Sequence, residues 1–161
     1  MLTQSELKMF LHYDPETGVF TWIKGRRGHW GNRPAGYVTK RDYVRIKIKQ
    51  VEYQSQNLVW LYVYGRWPDD VVDHKDHNPS NNKLNNLREA TNSQNGANKR
   101  VQKDNKLGLK GACRVGDKYQ AQLKKNGKTI YLGLFETAEL AHQAYVEAAR
   151  AVHGEFACGG D

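Results

Sequence analysis

The sequence predicts an α+β chain built from small sheets, each followed by a helix. Three observations carry this expectation. Tyr43 to Lys49 alternates strictly, with Val44, Ile46 and Ile48 on one side and Arg45, Lys47 and Lys49 on the other, the two-residue period of a half-buried strand. From Val71 to about Lys103, two short strands joined by an asparagine-rich loop run into a helix. Beyond Gly111, three strand patterns precede a long helix with an alanine stripe.

Taken in order, Thr3 to His12 reads as an amphipathic helix. Thr3 and Glu6 have the spacing of a capping box, and Leu7, Phe10 and Leu11 share a side. Asp14-Pro15-Glu16-Thr17-Gly18 is turn chemistry, and Val19 to Ile23 a strand. Lys24 to Gly36 is a glycine-rich basic loop containing Arg26, Arg27 and Trp30. After the alternating strand, Ser55 to Tyr64 reads as a helix stopped by Gly65 and Pro68. Val71 to His74 ends a short strand and Leu87 to Thr91 forms another. Thr91 with Gln94 then caps a helix running to about Lys103.

In the last third, Gly111 to Val115, Tyr119 to Lys124 and Thr129 to Leu134 are the strands. Asn126-Gly127 forms the tight turn between the second and third. Thr137 caps a helix to about His153, whose stripe is Ala141, Ala144, Tyr145, Ala148, Ala149 and Val152. That stripe, with Leu123, Ile130, Leu132 and Phe135, is the expected core of the segment. Three segments follow: a basic N-terminal α/β segment over 1–67, a central β–loop–β–α unit over 68–104, and a three-stranded antiparallel sheet with one helix over 105–161.

Charge separates the same segments. The chain has 25 Lys and Arg against 17 Asp and Glu, a net of +8, so a polyanion is the expected partner, nucleic acid first. Residues 1–67 carry 11 basic and 5 acidic groups, 68–104 carry 6 of each, and 105–132 carry 7 against 1. Two basic stretches thus flank a neutral centre, an arrangement suited to a nuclease. The longest apolar run, Leu58 to Tyr64, is far short of the roughly 20 residues of a membrane span. No secretory signal is visible and only two cysteines occur, so a reducing cytoplasm is the expected setting and a four-cysteine zinc site is excluded.

The centre holds the chemistry. Phosphodiester hydrolysis at neutral pH needs a base for water, for which imidazole is suited, a divalent ion at the leaving oxygen, and a group orienting the imidazole. Asp73 and His74 are adjacent on a strand and would point apart, so a strand end or bulge is needed to bring both to one site. Asn86, just before the second strand, can accept from the His74 ring. Asn95 and Asn98 lie one turn apart on the following helix. Asp76 and His77 are read as solvated groups outside the immediate site.

Asp73-His74, Asn81-Asn82, Asn85-Asn86-Leu87-Arg88 and Asn92 through Asn95 to Asn98 resemble the HNH nucleases, specifically the phage homing-endonuclease branch. The resemblance implies a ββα-metal fold, with His74 as general base, Asn86 as its orienting partner, and Asp73 and Asn95 as metal ligands. Asn95 stands where many members have the last histidine. Two oxygen ligands favour magnesium or manganese over zinc. Gln56-Asn57 stand where relatives often carry a His-Arg pair.

Lys110-Gly111-Ala112, Tyr119 to Leu123, Tyr131 to Phe135 and Ala138 to Ala149 resemble the apetala/ethylene-response-factor DNA-binding domain. That resemblance implies a sheet lying in the major groove of double-stranded DNA. Lys110, Arg114, Lys118, Gln120, Gln122 and Lys124, with Lys128, are then assigned to the outer sheet face or its rim. Arg26, Arg27, Arg45, Lys47 and Lys99 are expected phosphate contacts.

The reading is a metal-dependent DNA endonuclease of homing type leaving 5′-phosphate and 3′-hydroxyl ends, with a DNA-binding module. A non-catalytic DNA-binding regulator and an RNA-binding protein are the alternatives; the intact Asp73, His74 and Asn95 favour the nuclease, and a groove-reading sheet suits B-form DNA. Monomer and homodimer are both open, because one such site cuts one strand.

Overall fold

The computed structural model describes residues 1–23, 31, 33–101 and 105–160. Arg26, Arg27 and Trp30 lie outside the described residues. Helices and sheets alternate as expected of an α+β chain. The described residues form two compact units, 1–89 and 90–160.

The first unit opens with α1 (Gln4–Phe10), whose capping box between Thr3 and Glu6 is formed. The helix stops two residues before the expected His12, because Leu11 is extended and begins β1 (Leu11–Asp14). β1 pairs antiparallel with β2 (Val19–Trp22) across the Asp14–Gly18 turn. β3 (Tyr37–Val38), β4 (Val44–Ile48) and β5 (Val51–Gln54) form a three-stranded antiparallel sheet with β4 in the middle. Ile46 and Ile48 of β4 are buried while Arg45 and Lys47 are exposed, as the alternation requires.

α2 (Ser55–Tyr64) packs on β4 and β5 and also meets β6 (Val71–His74), which pairs with β7 (Leu87–Ala90). Leu7, Leu11, Phe20, Ile46, Ile48, Leu58 and Val59 are the fully buried centre, and Val72 and Leu87 bring the strands around the site into the same cluster. Trp60 is buried, and Trp22 and Trp67 pack against this core, Trp67 stacking on Tyr53 at 5.6 Å.

The second unit begins with α3 (Asn92–Asn98), whose capping box between Thr91 and Gln94 is formed. It ends at Asn98, short of Lys103, because Lys99 is extended. β8 (Ala112–Val115), β9 (Lys118–Lys125) and β10 (Lys128–Phe135) form an antiparallel sheet with β9 central, backed by α4 (Ala138–His153). Asn126 and Gly127 both have positive φ in the β9–β10 turn, as a two-residue hairpin of this sequence requires.

Ala112, Ala121, Leu123, Ala141, Tyr145 and Ala149 form the core between sheet and helix. Gly111 is required here, since a Cβ at its φ of +76° would lie 2.1 Å from the Tyr145 ring. Ile130, expected in this core, is instead exposed. It sits opposite Leu123 in register, but on an edge strand before the bulge at Leu132 that resets the pairing.

Candidate active site

The site is built on the end of β6 and the loop that joins it to β7. Asp73 and His74 are both buried, and each has a different partner. Arg88, from β7, donates through Nε to Asp73 Oδ2 at 3.1 Å, and both side chains are largely shielded from water. His74 Nε2 lies 3.1 Å from Asn82 Oδ1. The Asn82 amide is oriented by its own Nδ2, which donates to the Ser80 carbonyl at 3.3 Å. An amide oxygen only accepts, so Nε2 carries the ring proton and Nδ1 is the basic nitrogen. Tyr43 meets the imidazole edge-on at 6.2 Å between ring centres. Burial lowers the His74 pKa, outweighing the Asn82 bond and the nearby Asp76 and Asp73 charges, so the ring is kept neutral and able to accept a proton.

Asn86 does not take the place expected for it. The structure corrects the orienting residue to Asn82, because the Asn86 amide is engaged within the loop. Asn86 Nδ2 donates to Asp76 Oδ1 at 2.9 Å and to the Asn81 carbonyl at 2.8 Å, and its oxygen accepts from the Asp76 N–H at 3.1 Å. Asp76 is the hub of this loop: it also accepts from the Asn78 N–H and from Asn81 Nδ2. Slight burial raises its carboxyl pKa, but these hydrogen bonds from Asn81, the Asn78 N–H and Asn86 bring it below the ordinary value. The asparagine density of this loop was the available signal, and Asn81-Asn82 stood among the quoted residues without a role.

The N-terminal hairpin holds Asn82 from behind. The buried Tyr13 hydroxyl donates to the Asn82 carbonyl at 2.8 Å. Gly18, at φ +74°, brings its turn so close that a Cβ would meet Lys83 N at 2.5 Å. The sequence marks β1–Gly18–β2 only as a strand and a turn. In the fold, this hairpin positions the residue that orients the histidine.

Asn95 lies half-buried on α3 of the second unit. Among the described residues, no group of three or more His, Cys, Asp and Glu side chains is placed to hold a metal ion. Asp73 offers a buried carboxylate held by the Arg88 guanidinium, a hard oxygen donor of the kind divalent metal ions take.

A profile of the HNH endonuclease family matches residues 53–97, which include β6, β7 and the loop between them. A protein of Acanthamoeba polyphaga mimivirus, named as an uncharacterised HNH endonuclease, is 35% identical over 144 residues, covering 89% of this chain and 68% of that protein. The chain belongs to the HNH endonuclease family. This HNH nuclease has no significant match among solved structures. No helix among its described residues is long and apolar enough to cross a membrane.

The cationic residues expected to contact DNA divide sharply in this nuclease. Lys47, Lys99 and Lys124 are exposed. Arg45 is paired with Glu52 at 3.3 Å and Lys118 with Glu136 at 2.9 Å, exposed pairs of small energetic weight that phosphate can displace. Lys110 is a correction: its ammonium donates to the backbone carbonyls of Ala97, Lys99 and Cys158, so it satisfies the end of α3 instead of facing a ligand. Burial accordingly lowers its pKa. Arg114 is exposed on the edge strand β8. It pairs in register with Tyr119, which packs on the α4 side, and its Nε donates to Gly116 O at 3.1 Å. Gln120 and Gln122 do lie on the opposite, outer face.

Proposed function

We propose that this nuclease hydrolyses DNA phosphodiester bonds with His74 as the general base. The observation that carries the reading is the buried His74 ring, fixed through Nε2 by Asn82 and held neutral by burial. Nδ1 takes the proton from water, which attacks the phosphorus in line with the leaving 3′ oxygen. The products are a 5′-phosphate and a 3′-hydroxyl. Tyr13 and Gly18 keep Asn82 in place, so the imidazole does not have to be ordered as substrate arrives.

Asp73 and Asn95 are proposed to hold one magnesium or manganese ion, Asn95 by resemblance alone. When bound, the ion supplies charge stabilisation at the leaving oxygen. Arg88 orients the Asp73 carboxylate. The sheet of the second unit is proposed to bind double-stranded DNA, and a homing role fits the resemblance to that branch.

Supercoiled plasmid tests the reading. Nicking should appear with magnesium or manganese, stop on chelation, and generate ends that a ligase can reseal. Cleavage that persists in chelator, or products with 3′-phosphate ends, would overturn the mechanism.

A further inference from the structure

The outer face of the β8–β9–β10 sheet has a composition that selects among base pairs. The register places Cys113 and Val115 of β8, Lys118, Gln120, Gln122 and Lys124 of β9, and Thr129, Tyr131 and Leu134 of β10 on this face. Tyr131, Leu134 and Val115 are 59%, 50% and 47% exposed, so this face offers apolar groups to a partner beside its amides. Tyr131 stands opposite Gln122, and Leu134 opposite Gln120. Each amide therefore has an apolar side chain as its cross-strand neighbour.

The two amides are ordered relative to each other. Gln120 Nε2 donates to Gln122 Oε1 at 3.4 Å, which leaves the Gln120 oxygen to accept and the Gln122 amino group to donate. An adenine presents in the major groove a donor at N6 and an acceptor at N7, the complement of that pair. Thymine presents a methyl group that aliphatic and aromatic side chains contact. Guanine is read chiefly by arginine or lysine, and the register turns Arg114 to the α4 side. Lys118 and Lys124 sit at opposite ends of the glutamine row, where they can reach phosphates instead of base edges. The 7 to 1 excess of basic residues over 105–132 supplies the charge complementarity for a duplex.

We infer that this face reads A·T base pairs in the major groove, with Gln120 and Gln122 on adenine and Leu134, Tyr131 and Val115 against thymine methyls. The inference rests on the proposed DNA-binding role of the sheet and names the sequence class it takes.

The test uses the full chain in chelator, so that no duplex is cut, and fluorescence anisotropy on three duplexes with common flanks. One has a central A·T block, one the same block with uracil for thymine, and one a G·C block. The A·T duplex should bind about tenfold tighter than the G·C duplex. The uracil duplex, which keeps adenine but lacks the methyls, should fall between them. The Q120A/Q122A double variant should bind A·T and G·C duplexes alike, with its residual affinity still steeply dependent on salt. Equal binding of all three by the native chain would overturn the A·T assignment and leave duplex binding standing. An unchanged A·T preference in the double variant would overturn the assignment to this face. Failure of the full chain to bind any duplex would overturn both the inference and the binding role beneath it.

Discussion

Between β6 and β7, the polar side chains bond one another: His74 to Asn82, Asn86 to Asp76 and Asn81, and Asp73 to Arg88. On the outer face of the β8–β9–β10 sheet, Gln120 and Gln122 share one long amide contact and the lysines point into solvent or to an exposed carboxylate. The first arrangement is largely buried and bonded several times over; the second is half-buried at its glutamines, exposed at its lysines, and held by a single amide–amide bond. Catalysis gains when a base is fixed before substrate arrives, because reorganisation then costs nothing at the moment of reaction. Groove reading gains from groups that water has not already satisfied inside the protein. On the proposed reading, the chain carries a preorganised base in one compact unit and adaptable contact groups in the other.

The largest effect should come from the histidine. His74→Ala is expected to lower plasmid nicking by about two to four orders of magnitude while leaving duplex affinity nearly unchanged. Loss of binding together with cleavage would mean that the two regions are not functionally separate. Next, Asn82→Ala should reduce the cleavage rate by about 10- to 100-fold, through misplacement of the ring, with little change in the substrate concentration needed. Asn86→Ala should act chiefly on thermal stability. A larger rate loss at Asn86 than at Asn82 would restore the orienting role that the sequence assigned to Asn86. Tyr13→Phe should show a weaker form of the Asn82 effect, since it removes one bond to the Asn82 carbonyl.

Lys110→Met should cost about 2 kcal/mol of stability in the second unit, because it strands the part-buried carbonyls of Ala97, near the end of α3, and of Cys158. Its salt-dependence of duplex binding should match the native chain, whereas Lys124→Met should flatten it. A flatter salt slope for Lys110→Met would place that lysine on the DNA after all.

The smallest effect is a pH dependence. His153 is buried on α4, where its Nε2 has no hydrogen-bond partner among the described residues, and burial lowers its pKa from the ordinary 6.5. The unfolded chain therefore binds this proton at a higher pH than the folded one. Stability present above pH 6.5 should fall as pH drops from there through the depressed folded value. Melting scans between pH 7.5 and 5 check this (a range set by that midpoint). His153→Phe should remove that part of the slope, and an unaltered slope would remove His153 from the account.

The boundary expected between 68–104 and 105–161 falls inside the second compact unit. Lys110 and the Cys158 N–H both bond carbonyls of α3, so cutting at 104 would strip the helix of its partners. A truncation there tests helix stability as much as DNA binding.

Much was legible where the cause is local. The caps Thr3, Thr91 and Thr137 were readable because a hydroxyl and an N–H three residues on are neighbours whatever the rest of the chain does. β4 and the Asn126-Gly127 turn were readable for the same reason, since alternation and positive φ are properties of a few consecutive residues. The HNH family was readable because Asp73-His74, with asparagines at set distances, is an uncommon combination in a neutral stretch between basic ones.

Only the tertiary structure decided which asparagine orients His74, since Asn82 and Asn86 offer identical amides and the choice is made by Tyr13 and Gly18 pressing on the Asn82–Lys83 backbone from more than sixty residues away in sequence. It decided likewise that Lys110 turns inward to bare carbonyls and that Arg114 falls on the α4 side of the sheet. A charge count records how many cations a segment has. Where each one points depends on pleat register and on which distant carbonyls lack a donor, and neither exists until the chain has folded.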